Sequence, residues 1–439
     1  MTHRPDRRPI VYIETYGCQM NVRDSEMLGG IFRQAECDLA DTPDRADLIL
    51  LNTCAVRERA EQRVIGRVNQ LASFKKRRDV RIGVVGCMAQ HLRDSLLESV
   101  PDLDYVLGPD TYRTLPDLLG AERDERRADW STDRGELYEG LPSWRDEHSP
   151  SAFVTVMRGC DMMCTFCVVP FTRGRERCRP AQAIVEETMQ LMEEGVREVT
   201  LLGQTVNAWR EGEAGFGSLL KQVSDTGIPR IRFTSPHPLH FGPEELAAIA
   251  ERENICESVH LPVQSGNTDV LERMNRGYTR AEYLEIVRAL RETIPHVTLS
   301  TDIIVGFPGE TEAQFEDTLS LMEACAFESG FLFKYSARSG TRADREFEDD
   351  VPEEEKQRRL ERVIELQTDF TQRSQVAMVG GEYEILVDGV GDRGPDQWTG
   401  KTRGNRTVVV ESGEQLMGRM VTVIIEESGT WTLRGRLKE

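Results

Sequence analysis

The sequence predicts an α/β chain in three parts: an N-terminal domain on a parallel sheet, an open six-fold βα barrel, and a small C-terminal antiparallel β-barrel of the oligonucleotide-binding type. Three observations predict it. Over roughly the first 110 residues, apolar runs ending in a cysteine alternate with amphipathic stretches; from residue 151 the alternation resumes with longer units; near residue 376 it gives way to short alternating strands with glycine turns. Strands alternating with helices imply parallel pairing, because parallel neighbours need a long crossover between them.

In chain order, PIVYIETYGC, ADLILLNTC and RIGVVGC read as strands and DYVLGP as a fourth. NVRDSEMLGGIFRQ, VRERAEQRVIGRVNQLASF and MAQHLRDSLLESV read as the helices between them. The charge-dense AERDERRADWSTDRGELYEG reads as a linker, so the first domain is expected over residues 8–125. A second domain, 146–375, carries six strands: SAFVTVMRGC, EVTLLGQT, RIRFTSPH, SVHLPVQSG, VTLSTDIIVGFPG and SGFLFKYSA. Six βα units make an incomplete form of the eight-fold barrel, whose active site lies at the carboxyl ends of the strands. The charged helix VPEEEKQRRLERVIELQTDFTQRSQ leads into a third domain, 376–439, with strands EYEILVDGV, TVVVES, MVTVIIEES and TWTLRGRL.

Hydrophobic residues at 39% and charged residues at 30% fit a folded, water-soluble chain. No run approaches the roughly 20 apolar residues of a membrane span, and the polar start MTHRPDRRP lacks a signal-peptide core. A cytoplasmic protein with no membrane partner is therefore expected, and in that reducing compartment the ten cysteines are read as ligands before disulfides. The net charge of −20 excludes nucleic-acid binding through a broad positive field, so any RNA contact must be local.

Cys160, Cys164 and Cys167 stand at C-x3-C-x2-C directly after a strand. Three thiolates at this spacing can wrap one four-iron cluster and leave its fourth iron open. A structural zinc needs four ligands, and no fourth cysteine or histidine follows at a suitable spacing. Cys18, Cys54 and Cys87 lie 36 and 33 residues apart, which matches no local metal motif. Each ends a strand of the same sheet, however, so the three thiols should converge at its carboxyl edge and hold a second cluster. Three buried packing cysteines are the alternative. Cys37, Cys178, Cys256 and Cys325 have no partner at ligand spacing and read as packing thiols on helices or loops. His237 and His240, at the end of the third barrel strand, either face a substrate or serve the structure.

The placement of Cys160, Cys164 and Cys167 on the first strand of a βα series, with Phe166 before the third cysteine, resembles the radical S-adenosylmethionine superfamily. The resemblance implies that the methionyl group of the cofactor chelates the open iron, and that electron transfer breaks the sulfonium to give a 5′-deoxyadenosyl radical. More specifically, TYGCQMN (15–21), LNTCAVRERA (51–60), GCMAQ (86–90), GCDMMCTFCVVPFTRGRERCRP (159–180), LPVQSGNTDVLERMNRGYTR (261–280) and TDIIVGFPGET (301–311) resemble the MiaB-type tRNA methylthiotransferases. The C-terminal barrel, with WTGKTRGNRTVVVE, is similar to the TRAM domain with which that family holds tRNA.

The resemblance implies conversion of N(6)-dimethylallyladenosine (isopentenyl adenosine) at position 37 of tRNA, next to the anticodon, to its 2-methylthio derivative. The hydrogen replaced is on an aromatic carbon that no side-chain base can deprotonate, so a radical route is required. Two 4Fe-4S clusters and two molecules of S-adenosylmethionine are the expected cofactors. Phe166 and Gln204 are the expected cofactor contacts, the latter by its place at the end of the second barrel strand. An electron donor such as flavodoxin or ferredoxin and an iron–sulfur carrier that reloads the auxiliary cluster are the expected partners. Arg173, Arg175 and Arg177 in the basic run RGRERCR, and Lys401, Arg403 and Arg406 in the C-terminal barrel, are the expected tRNA contacts. Relatives that act on threonylcarbamoyl adenosine or on a ribosomal protein tend to follow the first cysteine with Lys or Pro-Lys, whereas here it is followed by Gln19. A non-catalytic iron–sulfur RNA-binding module is disfavoured, because a purely structural cluster normally has four protein ligands.

Overall fold

The computed structural model describes residues 7–55, 58–120, 126–133, 135–141, 143–146, 148–391, 394 and 396–438. The chain forms two compact units. The first comprises Met1–Asp146, Met157–Asp161 and Cys167–Arg177; the second comprises Glu147–Val156, Met162–Phe166 and Cys178–Glu439.

The first unit is built on a six-stranded sheet in the order Asp38–Leu39, Ile10–Tyr16, Leu48–Thr53, Arg81–Gly86, Tyr105–Leu107, Arg127–Asp129, with every neighbouring pair parallel. Helix Gln19–Gln34 buries Met27, Leu28, Ile31 and Phe32 on one face with Val11, Leu48 and Leu50. Helix Glu58–Lys75 buries Val64, Val68 and Leu71 on the other, against Ile49, Leu51, Ile82 and Val84. Helices on both faces make this a doubly wound sheet, buried on both sides, which is why Leu48–Thr53 reads as an unbroken apolar run.

Two expectations need correction here. MAQHLRDSLLESV is not one helix: it divides into Cys87–Leu92 and Asp94–Ser99 at Arg93, whose φ of 53° no α-helix accommodates. The stretch 121–140 is not simply a linker either. Arg127–Asp129 is the sixth strand, Gln90 Nε2 donates to the Trp130 carbonyl at 3.1 Å, and Tyr138 is buried against Tyr112. Main-chain pairing with Tyr105–Leu107 holds this strand despite its charge, since an edge strand hydrogen-bonds to one neighbour only. Residues 121–125 and 134 of that stretch lie outside the described residues.

The second unit holds six strands, Ser151–Thr155, Glu198–Leu202, Arg230–Phe233, Ser258–His260, Thr298–Val305 and Ser329–Lys334, in two parallel three-stranded sheets. A single parallel bridge, Ile231 to Ile255, links the third strand to the approach of the fourth. Long helix Glu353–Val376 packs behind the sixth strand and ends at the C-terminal barrel. That barrel is closed, with five strands where four were expected, because Gln397–Thr402 also pairs. Five strands cannot close with every neighbour antiparallel, and Thr407–Glu411 accordingly runs parallel to Leu433–Leu437. No helix among the described residues is long and apolar enough to cross a membrane.

Candidate functional site

Tyr16, Thr53 and Gly86 stand side by side in the sheet register at the carboxyl ends of three adjacent strands. Cys54 and Cys87 follow directly, and Cys18 comes one residue later in its loop. The winding of the sheet reverses between Ile10–Tyr16 and Leu48–Thr53, so the crevice of an open α/β sheet opens where Cys18 and Cys54 emerge. Asn21 and Asn52 lock these loops together. Asn21 Nδ2 donates to Asn52 Oδ1 at 3.2 Å, Asn52 Nδ2 to the Asn21 carbonyl at 2.8 Å, and the Cys18 N–H to Asn21 Oδ1 at 3.3 Å. Gly86, at φ +93°, cannot carry a side chain: a Cβ would lie 2.6 Å from Asn52 Oδ1.

The three thiols sense one another. Cys18, the N-cap of helix Gln19–Gln34, has its thiol pushed down to about 6, chiefly by the hydrogen bond with Cys54; desolvation opposes this, and Arg173 and the N–H groups of Asn21 and Met20 assist. Burial pushes the Cys87 thiol up, and Arg173 works against it. Arg173 Nε donates to Cys87 Sγ at 3.0 Å, and its Nη1 lies 2.7 Å from Asp24 Oδ2. Arg158 pairs with the other Asp24 oxygen at 3.3 Å, and all three side chains are at most 3% exposed. This buried Arg–Asp–Arg triad has one net positive charge and stands beside the thiols. Sulfur donors in a positive field suit an iron–sulfur cluster, whose thiolates make it anionic. Among the described residues, no group of three or more His, Cys, Asp or Glu is arranged around a single metal ion.

The second trio lies in the loop after strand Ser151–Thr155, with Cys160 and Cys167 in the first unit and Cys164 in the second. In the first unit, the Cys160 N–H donates to the Gly174 carbonyl, and Asp161 receives Arg175 Nε at 2.5 Å and the Glu176 N–H at 3.2 Å. Gly159, at φ +78°, passes so close to the Arg175 carbonyl that a Cβ would lie 2.0 Å from it. In the second unit, LERMNRGYTR wraps the turn that bears Cys164. Thr165 bonds the Met274 and Arg273 carbonyls, and Asn275 Nδ2 donates to the carbonyls of Met162 and Met163. Buried Arg276 donates to Cys164 Sγ at 3.2 Å; burial disfavours its charge, but Tyr278 and Cys164 hold its pKa above the usual arginine range.

Phe166 packs partly buried against Val270, Met274, Phe307 and Tyr335, and Gln204 is half-buried just past the carboxyl end of strand Glu198–Leu202. His237 is buried, accepts the Leu239 N–H at Nδ1, and is pushed down to about 2 by burial and then by Arg276, so it stays neutral. His240 Nε2 sits 3.3 Å from Met162 Sδ. Cys37, Cys256 and Cys325 are buried, and Cys178 lies in the two-residue strand Arg177–Cys178, not on a helix or loop.

Four of the six expected tRNA contacts, Arg173, Arg177, Arg403 and Arg406, need correcting. Arg173 is buried in the triad, and Arg177 pairs with Asp110 at 3.2 Å with only 8% of its side chain exposed, so neither can reach a phosphate. Arg175 is exposed and its pair with Asp161 lies at the surface, where it can exchange for a phosphate. In the C-terminal barrel, Arg403 pairs with Glu257 at 2.6 Å and Arg406 is buried, donating to Ser374 Oγ. Lys401 is half-buried, and its carbonyl accepts from Arg230. This hairpin faces the βα barrel: Arg232 also donates to the carbonyls of Thr402 and Arg403. A basic residue on a strand does not declare which side of the barrel it occupies, and here Arg403 and Arg406 serve as fastenings. Arg276 and Asp24 were missed in the sequence; only their position in or near TYGCQMN and LERMNRGYTR marked them.

Three family models match the chain: the Radical SAM superfamily over residues 154–322, an uncharacterized protein family, UPF0004, over 10–108, and the TRAM domain over 376–438. A tRNA-2-methylthio-N(6)-dimethylallyladenosine synthase of Phocaeicola vulgatus is 45% identical over 435 residues, covering 97% of this chain and 95% of that one. A synthase of the same name from Chloroherpeton thalassium is 44% identical, covering 99% of this chain and 97% of that one. Among solved structures, the radical S-adenosylmethionine methyltransferase TsrM of Kitasatospora setae, with cobalamin and a 4Fe-4S cluster bound, matches 77% of each chain at a TM-score of 0.58 and 15% identity, a likeness of fold.

Proposed function

Because the chain belongs to the family of tRNA-2-methylthio-N(6)-dimethylallyladenosine synthases, we propose that it carries out the reaction of that name, converting N(6)-dimethylallyladenosine at position 37 of tRNA to the 2-methylthio nucleoside. The observation that carries this reading is the row of Cys18, Cys54 and Cys87 along one sheet edge, in a chain that also has a C-x3-C-x2-C loop on a radical-type βα barrel.

Cys160, Cys164 and Cys167 would hold the cluster that binds S-adenosylmethionine, with Phe166 and Gln204 beside it, and Cys18, Cys54 and Cys87 the auxiliary cluster. When bound, these groups supply the electron that cleaves the cofactor and the sulfur that is inserted. The protein's own part is positional and electrostatic. Arg173 and Arg276 each direct a buried N–H at one thiol of a trio, which favours the thiolate and fixes its direction. Asn21 and Asn52 keep the Cys18 and Cys54 loops in register before any cluster is loaded. Neutral His237 adds no charge beside Arg276.

The substrate tRNA is the partner that the family and the TRAM domain support. A low-potential donor such as flavodoxin or ferredoxin, and an iron–sulfur carrier that renews the auxiliary cluster, complete the set, and the cytoplasm is where all of them meet. Nucleoside mass spectrometry of tRNA from a host lacking its own enzyme tests the reading. Expression of this chain should restore the 2-methylthio nucleoside; accumulation of N(6)-dimethylallyladenosine with no methylthio product would overturn it.

A further inference from the structure

The inner face of the partial barrel carries a polar and aromatic group that the roles above leave unused. Along Thr298–Val305, Leu299, Thr301, Ile303 and Val305 are buried, while Thr298, Ser300, Asp302 and Ile304 are only half-buried. That alternation puts Ser300 and Asp302 on the same, inner face. On the neighbouring strand, His260 places Nε2 3.3 Å from Asp302 Oδ1 and Nδ1 2.9 Å from Ser300 Oγ. On the other side, Phe331 is in register with Asp302, and its ring stands edge-on to His260 at 5.7 Å. Gly330 faces Gln367 of the long helix behind the sheet, 3.2 Å from where a Cβ would be, so Phe331 points the opposite way. It is nevertheless 58% exposed.

A large aromatic ring left bare inside a concave sheet, with a carboxylate beside it held by a histidine, matches the chemistry of a purine base. The ring offers a stacking face, and the carboxylate accepts from an exocyclic N–H. We propose that Phe331 and Asp302, with His260 as a positioning residue for Asp302, form the subsite for the adenine ring of the target nucleoside after it has left the anticodon stack. This rests on the reading of the chain as an N(6)-dimethylallyladenosine methylthiotransferase. The target base has one N6–H left to donate, and extrusion is the general solution when an enzyme must reach a ring atom of a stacked base. S-adenosylmethionine carries an adenine too. Asp302 and Phe331 each lie three residues inside the carboxyl ends of their strands, whereas the expected cofactor contact Gln204 lies beyond the end of its strand. A ring that touches them sits deeper than Gln204, and RNA-independent cofactor cleavage separates the target base from the cofactor's adenine.

The test uses the reconstituted full chain and an anticodon stem-loop RNA bearing N(6)-dimethylallyladenosine. Phe331→Ala should lower kcat/KM for methylthio product roughly 5- to 100-fold, the range expected when one base–aromatic stack is removed. Phe331→Tyr should recover most of it. Cofactor cleavage without RNA and iron content serve as controls and should match the parent, since Phe331 is exposed and its removal leaves the core filled. Unchanged kcat/KM would overturn the subsite. A parallel loss of RNA-independent cofactor cleavage would overturn it as well, by assigning the ring to the cofactor's adenine. Failure of the underlying reading is distinct: the parent chain would then make no methylthio product on this RNA, and both inferences would fall together.

Discussion

Arg276 and Arg173 do the same work in two places, each holding a buried guanidinium against one cysteine sulfur. A hydrogen bond to a cluster thiolate favours the more negative, reduced state, so its removal lowers the reduction potential. Arg276→Gln should retain the iron of the Cys160, Cys164, Cys167 cluster but lower its midpoint potential by about 60 mV, the one-electron equivalent of about 1.4 kcal/mol; redox-poised EPR would register the shift. Asp24→Asn acts through stability, because it leaves Arg158 and Arg173 buried without their counter-charge. Removing one partner from such a pair costs about 3–5 kcal/mol. Chemical denaturation of the apoprotein should show a clear drop in midpoint, and an unchanged midpoint would deny the triad its role. The placement of Cys18, Cys54 and Cys87 at adjoining strand ends was legible because strand ends are local properties of the sequence. The triad was not, since Asp24 and Arg173 meet only after the chain has returned across 149 positions of sequence, a separation that no motif spans.

Among the elements, the strands that lead to Cys18, Cys54 and Cys87 and the helices with a strong apolar stripe were read correctly, whereas SAFVTVMRGC divides into Ser151–Thr155 and Met157–Arg158, the latter in a separate two-stranded sheet. The errors fell where one residue or one face decides. Arg93 breaks a helix that its periodicity would continue, and Arg127–Asp129 joins a sheet despite its charge. The C-terminal barrel adds a third case: its basic hairpin is turned toward Glu257 and Ser374. The side that remains open carries Trp431, 72% exposed, next to strand Leu433–Leu437 with exposed Arg434 and Arg436. Their pairs with Glu427 and Glu426 are exposed, and such pairs exchange readily for phosphate. Replacing Trp431, Arg434 and Arg436 together by Ala should weaken tRNA binding about tenfold or more and reduce the salt slope by about one unit for each phosphate no longer neutralised. Arg403→Ala should act instead on the stability of the second unit. A salt series of binding isotherms separates the two: equal tRNA affinity in the triple variant would return the RNA contact to another face.

For the whole molecule, a net charge of −20 makes tRNA recognition depend on local contacts, not on long-range attraction. Two parallel sheets, each presenting cysteines beyond the carboxyl ends of its strands, put both trios on the side where α/β folds bind ligands. Replacing Cys18, Cys54 and Cys87 together by Ala, with 5′-deoxyadenosine and 2-methylthio nucleoside measured in the same reaction, tests the division of labour between the trios. Cofactor cleavage should persist, uncoupled, while methylthio product is absent. Repeated turnover to the 2-methylthio nucleoside by that variant would contradict that division.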